Sequence, residues 1–353
     1  MCMKQKVLFF VNYYAGGAEK MTLNIAGFLN QNQYDIVLYI IGKDLGPISK
    51  FVPEGIRVEH LKVNSYKDFL VFKLAKALYK ERPEFAFSSL MPINWRLCVA
   101  SILFPSVKVI LRANDYLHTQ SFLQVVRLRF TYNFSWKVIV QTLEMRDEHI
   151  NRLHLKVKDV LTLSNPVNVN RIEEKIRGKG SPFIMGHLNF VFVGRVDYIK
   201  GVDLLLKSFS KVLVRYPDAK LFVVGEIGGV FKFYYNSLLT IIEELNIGSS
   251  VNFVGFTDNP YIYIKFADCL VLPSRNEGLP NVVIEALHLG TPVAATLSVP
   301  VVGRIIVDGV NGYVVNVDDE VAFANAMLSS VKLGRVNSYY RSASIEDFQN
   351  IFL

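Results

Sequence analysis

Short apolar runs alternate with longer amphipathic segments along the whole chain. The apolar runs have the length of buried strands, and most are followed by residues with the apolar spacing of a helix. The predicted strands are 7–11, 36–41, 85–88, 108–112 and 137–141, followed by 189–193, 220–225, 251–254 and 269–272. The predicted helices include 18–29, 201–216, 231–245 and 282–289. Strands that alternate with helices in this way predict mostly parallel, doubly wound sheets.

One interruption of the pattern divides the chain. Residues 165–186 are polar and contain Asn-Pro, Gly-Lys-Gly and Ser-Pro, which is typical of a linker. A length of 353 residues also suits two domains. We therefore predict two tandem Rossmann-like domains, with a cleft between them as the ligand site. The predicted parts are a domain over 1–170, a linker over 171–188, a domain over 189–338, and a tail over 339–353 that crosses back to the first domain.

The composition indicates a cytoplasmic protein. Apolar residues make up 51% of the chain, enough for two cores. The three cysteines, Cys2, Cys98 and Cys269, have neither metal-binding nor disulfide spacing, so we expect reduced thiols. The N-terminal apolar run is too short for a signal peptide, and the longest uncharged run, 286–303, is broken by proline and glycine.

The positive charge is concentrated in the first half of the chain. Residues 1–185 hold 26 Lys and Arg against 15 Asp and Glu, whereas residues 186–353 hold 13 against 16. No nucleic-acid motif accompanies this excess, so we expect an anionic membrane surface or a diphosphate-bearing acceptor. Two basic-aromatic stretches, 66–82 and 125–137, have the composition of helices that lie on a bilayer. Ordinary amphipathic helices with a solvated basic face account for them equally well.

The most informative segment runs from Ser274 to Leu287. A predicted strand ends just before it and a helix begins within it, and two carboxylates, Glu277 and Glu285, lie on either side of that junction. Backbone N–H groups at the start of a helix attract phosphate. The alternative interpretation is that both carboxylates are solvent-exposed and simply favoured by the helix dipole. This interpretation is weaker for Glu285, because it is the only charged residue in an otherwise apolar helix. The segment suits a ligand with hydroxyls on both sides of a phosphate, such as a nucleotide sugar.

Cations and glycines occur in the corresponding loops after other strands. Arg195 and Lys200 flank one strand-to-helix loop, where two fixed positive charges would stabilise a departing diphosphate. The pair Gly16-Gly17 follows the first strand and permits close approach of a phosphate. Taken alone, each is also compatible with an ordinary surface loop. The sequence lacks Asp-x-Asp, so no divalent metal is expected on the sugar diphosphate.

Together these segments resemble the family 4 glycosyltransferases, also called glycosyl transferases group 1, which have the two-domain GT-B fold. The resemblance covers nearly the whole chain and is strongest over 193–315. It rests on Gly16-Gly17-Ala18-Glu19, Gly194-Arg195, Lys200-Gly201, Val254-Gly255-Phe256, Leu272-Pro273-Ser274, the segment from Glu277 to Glu285, Gly290-Thr291-Pro292-Val293 and Asp308-Gly309-Val310-Asn311-Gly312.

The resemblance implies roles for individual residues. Arg195 and Lys200 would hold the donor diphosphate, Glu277 would orient the donor sugar, and these three would form the catalytic group. Glu285 would bond the ribose. The remaining donor-binding residues would supply backbone contacts to phosphate, sugar and base: Gly16, Gly17, Gly194, Gly255, Gly278 and Leu279.

The acceptor-facing loop departs from the family pattern. Asn114 occupies the position where many relatives have histidine, and Asp115 and His118 complete the predicted acceptor side. A second departure is Val299-Pro300-Val301-Val302, where relatives often have glycines, so donor contacts from that loop are not expected.

The resemblance implies a hexosyl- or N-acetylhexosaminyltransferase that needs no metal or cofactor. It would move a sugar from a nucleotide donor, a UDP-sugar, with retention, to a lipid-linked saccharide in surface polysaccharide assembly. The expected partners are the donor, a lipid-linked or free saccharide acceptor and the anionic inner face of the cytoplasmic membrane, with no nucleic acid. Two alternatives share the fold: an inactive module that binds nucleotide or membrane, and a nucleotide-sugar epimerase.

Overall fold

The structure, a computed structural model, describes residues 4–29, 33–64, 69–167, 169–227, 232–340 and 342–352. The chain forms two compact units. The N-terminal unit comprises Met1–Pro166 and Ala343–Leu353, and the C-terminal unit comprises Val167–Ser342. A helix of the C-terminal unit, Val169–Ile176, overlaps the start of the predicted linker, 171–188.

The N-terminal unit is a seven-stranded parallel sheet with helices on its faces. Its elements are β1 Gln5–Asn12, α1 Gly17–Phe28, β2 Tyr34–Gly42, β3 Arg57–Lys62, α2 Leu70–Glu81, β4 Phe85–Ser88, α3 Met91–Ser101, β5 Lys108–Ala113, α4 Phe122–Tyr132, β6 Lys137–Val140, α5 Leu143–Leu153 and β7 Val160–Thr162. The strand order is β3-β2-β1-β4-β5-β6-β7. Central β1 pairs with β2 and β4, and its residues 7–11 are fully buried because both faces of the sheet are covered.

The order of the strands determines where the helices lie. From β1 the chain moves to one side through α1, and from β3 onward it moves to the other side through α2, α3, α4 and α5. Because parallel crossovers are right-handed, α1 covers one face and α2–α5 cover the opposite face. Each of α2, α3 and α4 packs against the next helix in this second layer.

The C-terminal unit contains a six-stranded parallel sheet. Its elements are α6 Val169–Ile176, β8 Asn189–Val193, α7 Val202–Arg215, β9 Lys220–Val224, α8 Lys232–Glu244, β10 Val251–Gly255, α9 Tyr261–Phe266, β11 Cys269–Leu272, α10 Asn281–His288, β12 Val293–Thr296, α11 Val302–Ile305, β13 Gly312–Val315 and α12 Glu320–Val331. The strand order is β10-β9-β8-β11-β12-β13. The chain therefore reverses its direction of winding between β8 and β11, so α7 and α10 lie on opposite faces of the sheet. Such a reversal opens a crevice at the carboxyl ends of the two strands.

The end of the chain returns to the N-terminal unit as α13, Ile345–Gln349. This short helix packs beside α1, and Phe348 and Phe352 enter the same core as Phe9 and Phe85. The Phe352 ring lies 5.4 Å from the Phe85 ring, centroid to centroid. The last residues are thus part of a hydrophobic core rather than a loose extension.

The predicted fold class is confirmed. Each predicted strand is present, with both ends within two residues of the predicted bounds. Four strands were not predicted, namely β3, β7, β12 and β13. Of the predicted membrane-surface stretch 66–82, residues 66–68 lie outside the described part of the chain, and the rest consists of Phe69, α2 and Arg82.

Candidate functional site

The loops that follow β8 and β11 are in direct backbone contact at the winding reversal. Gly201 ends the first loop with φ of 67°, a left-handed conformation that favours glycine. A Cβ atom at this position would stand 2.1 Å from the carbonyl oxygen of Pro273 in the second loop. The Arg275 N–H also donates to the Ile199 carbonyl at 2.7 Å. Only glycine fits at position 201, and it brings the side chains of both loops together.

Lys200 and Glu277 form an ion pair across these loops. The Lys200 ammonium lies 2.6 Å from Oε1 of Glu277, and the hydroxyl of Ser274 donates to the same oxygen at 2.7 Å. The side chains are 20% and 8% exposed. Two residues that are 77 positions apart in the sequence, both predicted to contact the donor, are therefore neighbours. Ser274 is a third member of the group, and the sequence predictions gave it no role.

Arg195 is attached to the same loop in a different way. Its guanidinium lies 3.3 Å from Oδ2 of Asp197, and its side chain is 58% exposed. The other carboxylate oxygen of Asp197 accepts from the backbone N–H of Lys200 at 3.0 Å. Asp197 is itself buried. The two predicted phosphate-binding cations are therefore linked through one aspartate, which fixes the shape of the loop between them.

Arg275 joins the loop after β11 to the start of α7. It donates two hydrogen bonds of 2.8 Å to the carboxylate of Asp203, and it lies 2.8 Å from Asp318. Its guanidinium also stacks over the Tyr198 ring at 4.1 Å. Desolvation opposes ionisation of Asp203, but hydrogen bonds from Arg275 and Tyr234 hold the pKa of this carboxyl below its usual value. Arg275 has no role among the sequence predictions, and its position within the Ser274–Leu287 segment was the only available signal.

Glu285 lies in α10, where its side chain is half-buried. Desolvation raises its pKa to about 7, against the opposing influence of Arg171 and of a hydrogen bond from Tyr261. The sequence argument expected the ribose to satisfy this carboxyl, because no partner was evident along the helix. The structure supplies protein partners from α6 and α9 instead. A carboxyl with such a pKa exists in both protonation states near neutral pH.

The glycines of the C-terminal unit bring three loop backbones close together. The Gly194 N–H donates to the Val224 carbonyl at 2.9 Å, and the Gly225 N–H donates to the Gly255 carbonyl at 2.9 Å. A Cβ atom on Gly225 would stand 1.7 Å from the Gly194 carbonyl oxygen. Gly278 is half-buried and Leu279 is buried next to Glu277. This edge of the sheet therefore presents backbone rather than side chains.

In the N-terminal unit, Gly16 and Gly17 lie where predicted, at the start of α1. Gly16 occupies the position before the first helical residue and provides no side-chain cap. A Cβ atom on Gly16 would stand 2.5 Å from a carboxylate oxygen of Glu19, whereas one on Gly17 would meet no atom within 4 Å. Gly17 thus faces open space at the first turn of a twelve-residue helix.

Asn114 is held by a buried polar network behind the loop after β5. Its side-chain amide bonds the Ser89 carbonyl, and its oxygen accepts from Arg112 and from Gln141. The Arg112 guanidinium is buried, and desolvation lowers its pKa to about 9. Asn165 also accepts from Arg112. The orientation of Asn114 is therefore fixed by the fold.

The other two predicted acceptor-side residues have different surroundings. Asp115 lines a small cavity with Asn114, Gln120 and His149, and desolvation raises the pKa of its carboxyl. His149, which was not predicted, is buried with Nδ1 bonded to the Met145 carbonyl at 2.7 Å, and burial lowers its pKa to about 4. His118 is not among the residues that line this cavity, and its Nδ1 pairs with Oε1 of Glu148 at 2.8 Å. The structure thus brings Asn114 and Asp115 together at one cavity, whereas His118 pairs elsewhere.

Among the residues that the structure describes, no three His, Cys, Asp or Glu side chains are grouped as metal ligands would be. Within the same residues, no helix combines the length and the apolar character needed to span a bilayer. The expectation that transfer needs no metal stays a prediction.

Comparison with known proteins identifies the family of this site. Residues 179–346 match the profile of the family described as "Glycosyl transferases group 1". An uncharacterized glycosyltransferase of Haemophilus influenzae is 25% identical over 94% of the chain and 92% of its own length. The chain is thus similar to the group 1 glycosyltransferases over residues 179–346, just under half of its length. The predicted resemblance to this family is confirmed.

Other relatives match over shorter stretches. An uncharacterized glycosyltransferase of Methanocaldococcus jannaschii is 33% identical over 49% of the chain, and the match spans only 42% of that relative. A third relative is the N-acetylgalactosamine-N,N'-diacetylbacillosaminyl-diphospho-undecaprenol 4-alpha-N-acetylgalactosaminyltransferase of Campylobacter jejuni. It is 30% identical over 42% of the chain and 39% of its own length.

A solved structure supports the two-domain fold of the chain. The crystal structure of Anabaena HepE in complex with UDP and glucose superposes with a TM-score of 0.77 over 98% of the chain and 94% of HepE, at 17% identity. The region that matches the family profile contains Lys200, Arg275, Glu277 and Glu285. Asn114, Asp115 and His118 lie outside it, as do Gly16 and Gly17.

Proposed function

We propose that this glycosyltransferase moves a hexosyl or N-acetylhexosaminyl group from a UDP-sugar to a saccharide carried on a polyprenyl diphosphate. The observation that carries the proposal is the Lys200–Glu277 pair, at the edge of the sheet where the winding reverses. A fixed cation there suits the diphosphate of a nucleotide sugar, since charge develops on that group as the sugar leaves. The choice of uridine is supported by HepE, which was solved with UDP.

The proposed reaction breaks the bond between the sugar C1 and the diphosphate oxygen, and forms a bond from C1 to the acceptor hydroxyl oxygen. Lys200 and Arg195 stabilise the departing UDP, while Glu277 fixes Lys200 and orients the donor sugar. Glu285 bonds the ribose. The acceptor proton passes to an oxygen of the departing phosphate, and attack from the same side retains the anomeric configuration. No metal is needed in this scheme.

The lipid-linked acceptor is proposed from two observations. The Campylobacter jejuni relative is named for an undecaprenyl-diphosphate-linked acceptor. The first 185 residues also carry the whole basic excess of the chain, which favours an anionic surface. The enzyme would then work on the cytoplasmic face of the membrane, where it would extend a glycan destined for the cell surface.

The test is to replace each member of the pair. Lys200→Ala and Glu277→Ala should each lower kcat/KM for transfer from UDP-sugar by about a hundredfold or more, because a preorganised charge contact to the leaving group is lost. Lys207→Ala is the matched control: Lys207 lies on the neighbouring helix α7 and pairs with Glu320 at 3.4 Å, so its loss should leave kcat/KM unchanged. Wild-type turnover in either site variant would refute the site.

The same assay separates the alternatives. A panel of labelled UDP-sugars with host lipid extract should yield a labelled glycolipid. An epimerase would convert the free sugar nucleotide without any acceptor, and an inactive module would bind UDP-sugar without turnover. Either result would replace the proposed function.

A further inference from the structure

The outer side of the second helix layer of the N-terminal unit is rich in large apolar side chains. We define the three-helix surface as the exposed residues of α2, α3 and α4 with their immediate flanks. Its large apolar members are each between 51% and 79% exposed: Phe69, Phe72, Tyr79, Ile102, Leu103, Phe122, Leu123, Phe130 and Phe134. Scattered exposed apolar residues are ordinary, but such a concentration on three adjacent helices marks an interaction surface.

These residues are additional to those that build the core. The inward side of α2 is formed by Leu70, Leu74 and Leu78, which are at most 1% exposed. Phe69, just before α2, and Phe72, within it, are both exposed, and their ring centroids are 6.0 Å apart. The same division occurs in α4, where Leu128 is buried while Phe122 is exposed. Folding of the unit therefore does not account for the outward aromatics.

The charged groups within the three helices are almost all basic. Between their first and last residues, α2, α3 and α4 contain six basic side chains: Lys73, Lys76, Lys80, Arg96, Arg127 and Arg129. They contain a single acid, Glu81, which is buried and bonded to Lys6 at 3.1 Å and to Arg57 at 2.5 Å. These helices thus present cations and aromatics to solvent without an accessible carboxylate.

Arginine and tryptophan connect two of the helices. The guanidinium of Arg96 lies 4.1 Å from the centre of the Trp95 ring on α3, and that of Arg127 on α4 lies 4.7 Å from the same ring. An arginine that stacks on an aromatic ring remains charged. Cationic groups interleaved with exposed rings are complementary to the headgroup region of an anionic bilayer, where rings enter the interface and cations face the phosphates.

The position of the surface relates it to the predicted acceptor residues. Helices α3 and α4 begin at the carboxyl edge of the sheet, because each follows a parallel strand. The loop that leads from β5 into α4 contains Asn114 and Asp115, and Phe122 and Leu123 are the first two residues of α4. The aromatic start of α4 thus lies at the edge where the acceptor-side residues are found.

We infer that the three-helix surface docks the protein on an anionic phospholipid bilayer. The docking itself follows from the exposed side chains, and only its purpose, access to a lipid-linked acceptor, rests on the proposed function. Burial of one phenylalanine in the interface should strengthen vesicle binding by at least about tenfold. Each basic side chain near an anionic surface should contribute about fivefold.

The experiment is vesicle sedimentation with the full chain. Phosphatidylcholine vesicles with and without phosphatidylglycerol are compared at low and high salt. The wild type should bind the anionic vesicles, and salt should weaken binding because it screens the charges. Phe72→Ser with Phe122→Ser, and separately Lys76→Gln with Arg129→Gln, should each lower the partition coefficient by more than about tenfold. The matched control, Phe233→Ser with Lys232→Gln, removes an equally exposed pair from α8 of the C-terminal unit and should have no effect.

Three results would overturn the inference: equal binding to neutral and anionic vesicles, equal loss in the α8 control, or salt-insensitive binding. Sedimentation velocity without vesicles tests whether the surface binds a second copy of the chain instead. If the wild type is a dimer and the Phe72 and Phe122 substitutions make it monomeric, the surface is a dimer interface and the inference is overturned. Transfer to a water-soluble saccharide acceptor separates the two proposals. Unchanged soluble transfer with lost vesicle binding supports the docking surface, whereas vesicle binding without any transfer overturns the proposed function alone.

Discussion

The raised pKa of Glu285 predicts that the C-terminal unit loses stability as the pH rises through neutrality. The carboxyl has a pKa of about 7 in the folded state against an ordinary 4.5. Between these values the folded state holds a proton that the unfolded state has released, so stability is full below about pH 4.5 and falls until about pH 7. A difference of about 2.5 pKa units corresponds to about 3 kcal/mol. Glu285→Gln, which cannot ionise, should lack this loss.

Hydrogen exchange measures the effect locally. Peptides that cover α10 and β11 should show nearly equal protection in wild type and Glu285→Gln near pH 4, and greater protection in the variant by up to about 3 kcal/mol above pH 8. Both tryptophans, Trp95 and Trp136, belong to the N-terminal unit, so their fluorescence serves as an internal control and should show no difference. A pH-independent difference between wild type and variant would refute the argument that the carboxyl is desolvated.

The same group should couple donor binding to protons. If ribose hydroxyls donate hydrogen bonds to Glu285, they favour its ionised form. At a pH below the pKa of Glu285 in the unliganded protein, donor binding then releases a proton. The affinity for UDP-glucose should therefore rise with pH up to about 7 and then level off in the wild type, but stay flat in Glu285→Gln. UDP-glucose is preferable to UDP, because its diphosphate has no terminal ionisation in this range. Parallel pH profiles for the two proteins would remove Glu285 from the donor site.

Two further substitutions test the loop contacts. Gly201→Ala should destabilise the C-terminal unit by about 2 kcal/mol or more and abolish transfer, because the new Cβ would clash with the Pro273 carbonyl at a residue whose backbone is left-handed. Denaturant unfolding measures the loss of stability. Gly180→Ala is the control, since a Cβ atom there would meet no atom within 4 Å. Arg275→Lys should cost about 1–3 kcal/mol and raise KM for the donor more than it lowers kcat, because lysine cannot form the paired bonds to Asp203. An unchanged KM would show that Arg275 does not position the site.

Most of the strands that could be predicted are buried on both faces, and edge strand β10 is the exception. Continuous apolar runs such as residues 7–11 and 269–272 indicate central parallel strands without help from the rest of the chain. The missed strands lie at or near the edges of the two sheets. Edge strand β3 carries Arg57, Glu59 and His60, so its pattern is mostly polar. Strands β12 and β13 have four residues each, and pairing with neighbours rather than apolar length establishes them.

The order of the strands explains which contacts of the candidate site could be predicted from the sequence and which could not. Lys200 and Glu277 each follow a predicted strand, so their meeting at one sheet edge could be anticipated once the strands were recognised as parallel neighbours. The Arg275–Asp203 contact depends on which face α7 covers, and no local pattern encodes that. The partners of Glu285 come from helices that are distant in sequence, so its raised pKa could be recognised only from the folded chain.

The contacts around Lys200 bear on how the site works before any donor arrives. The backbone of Lys200 is fixed by Asp197, its ammonium by Glu277, and the two loops by the Gly201–Pro273 approach and by Arg275. A cation held in this way loses little conformational entropy when a diphosphate binds, and the low exposure of Glu277 makes the electrostatic interaction stronger than it would be in water. A diphosphate that approaches Lys200 must share the ammonium with Glu277. Removal of Glu277 should therefore free the lysine and yet weaken catalysis, since the charge would no longer be held where the leaving group develops its own.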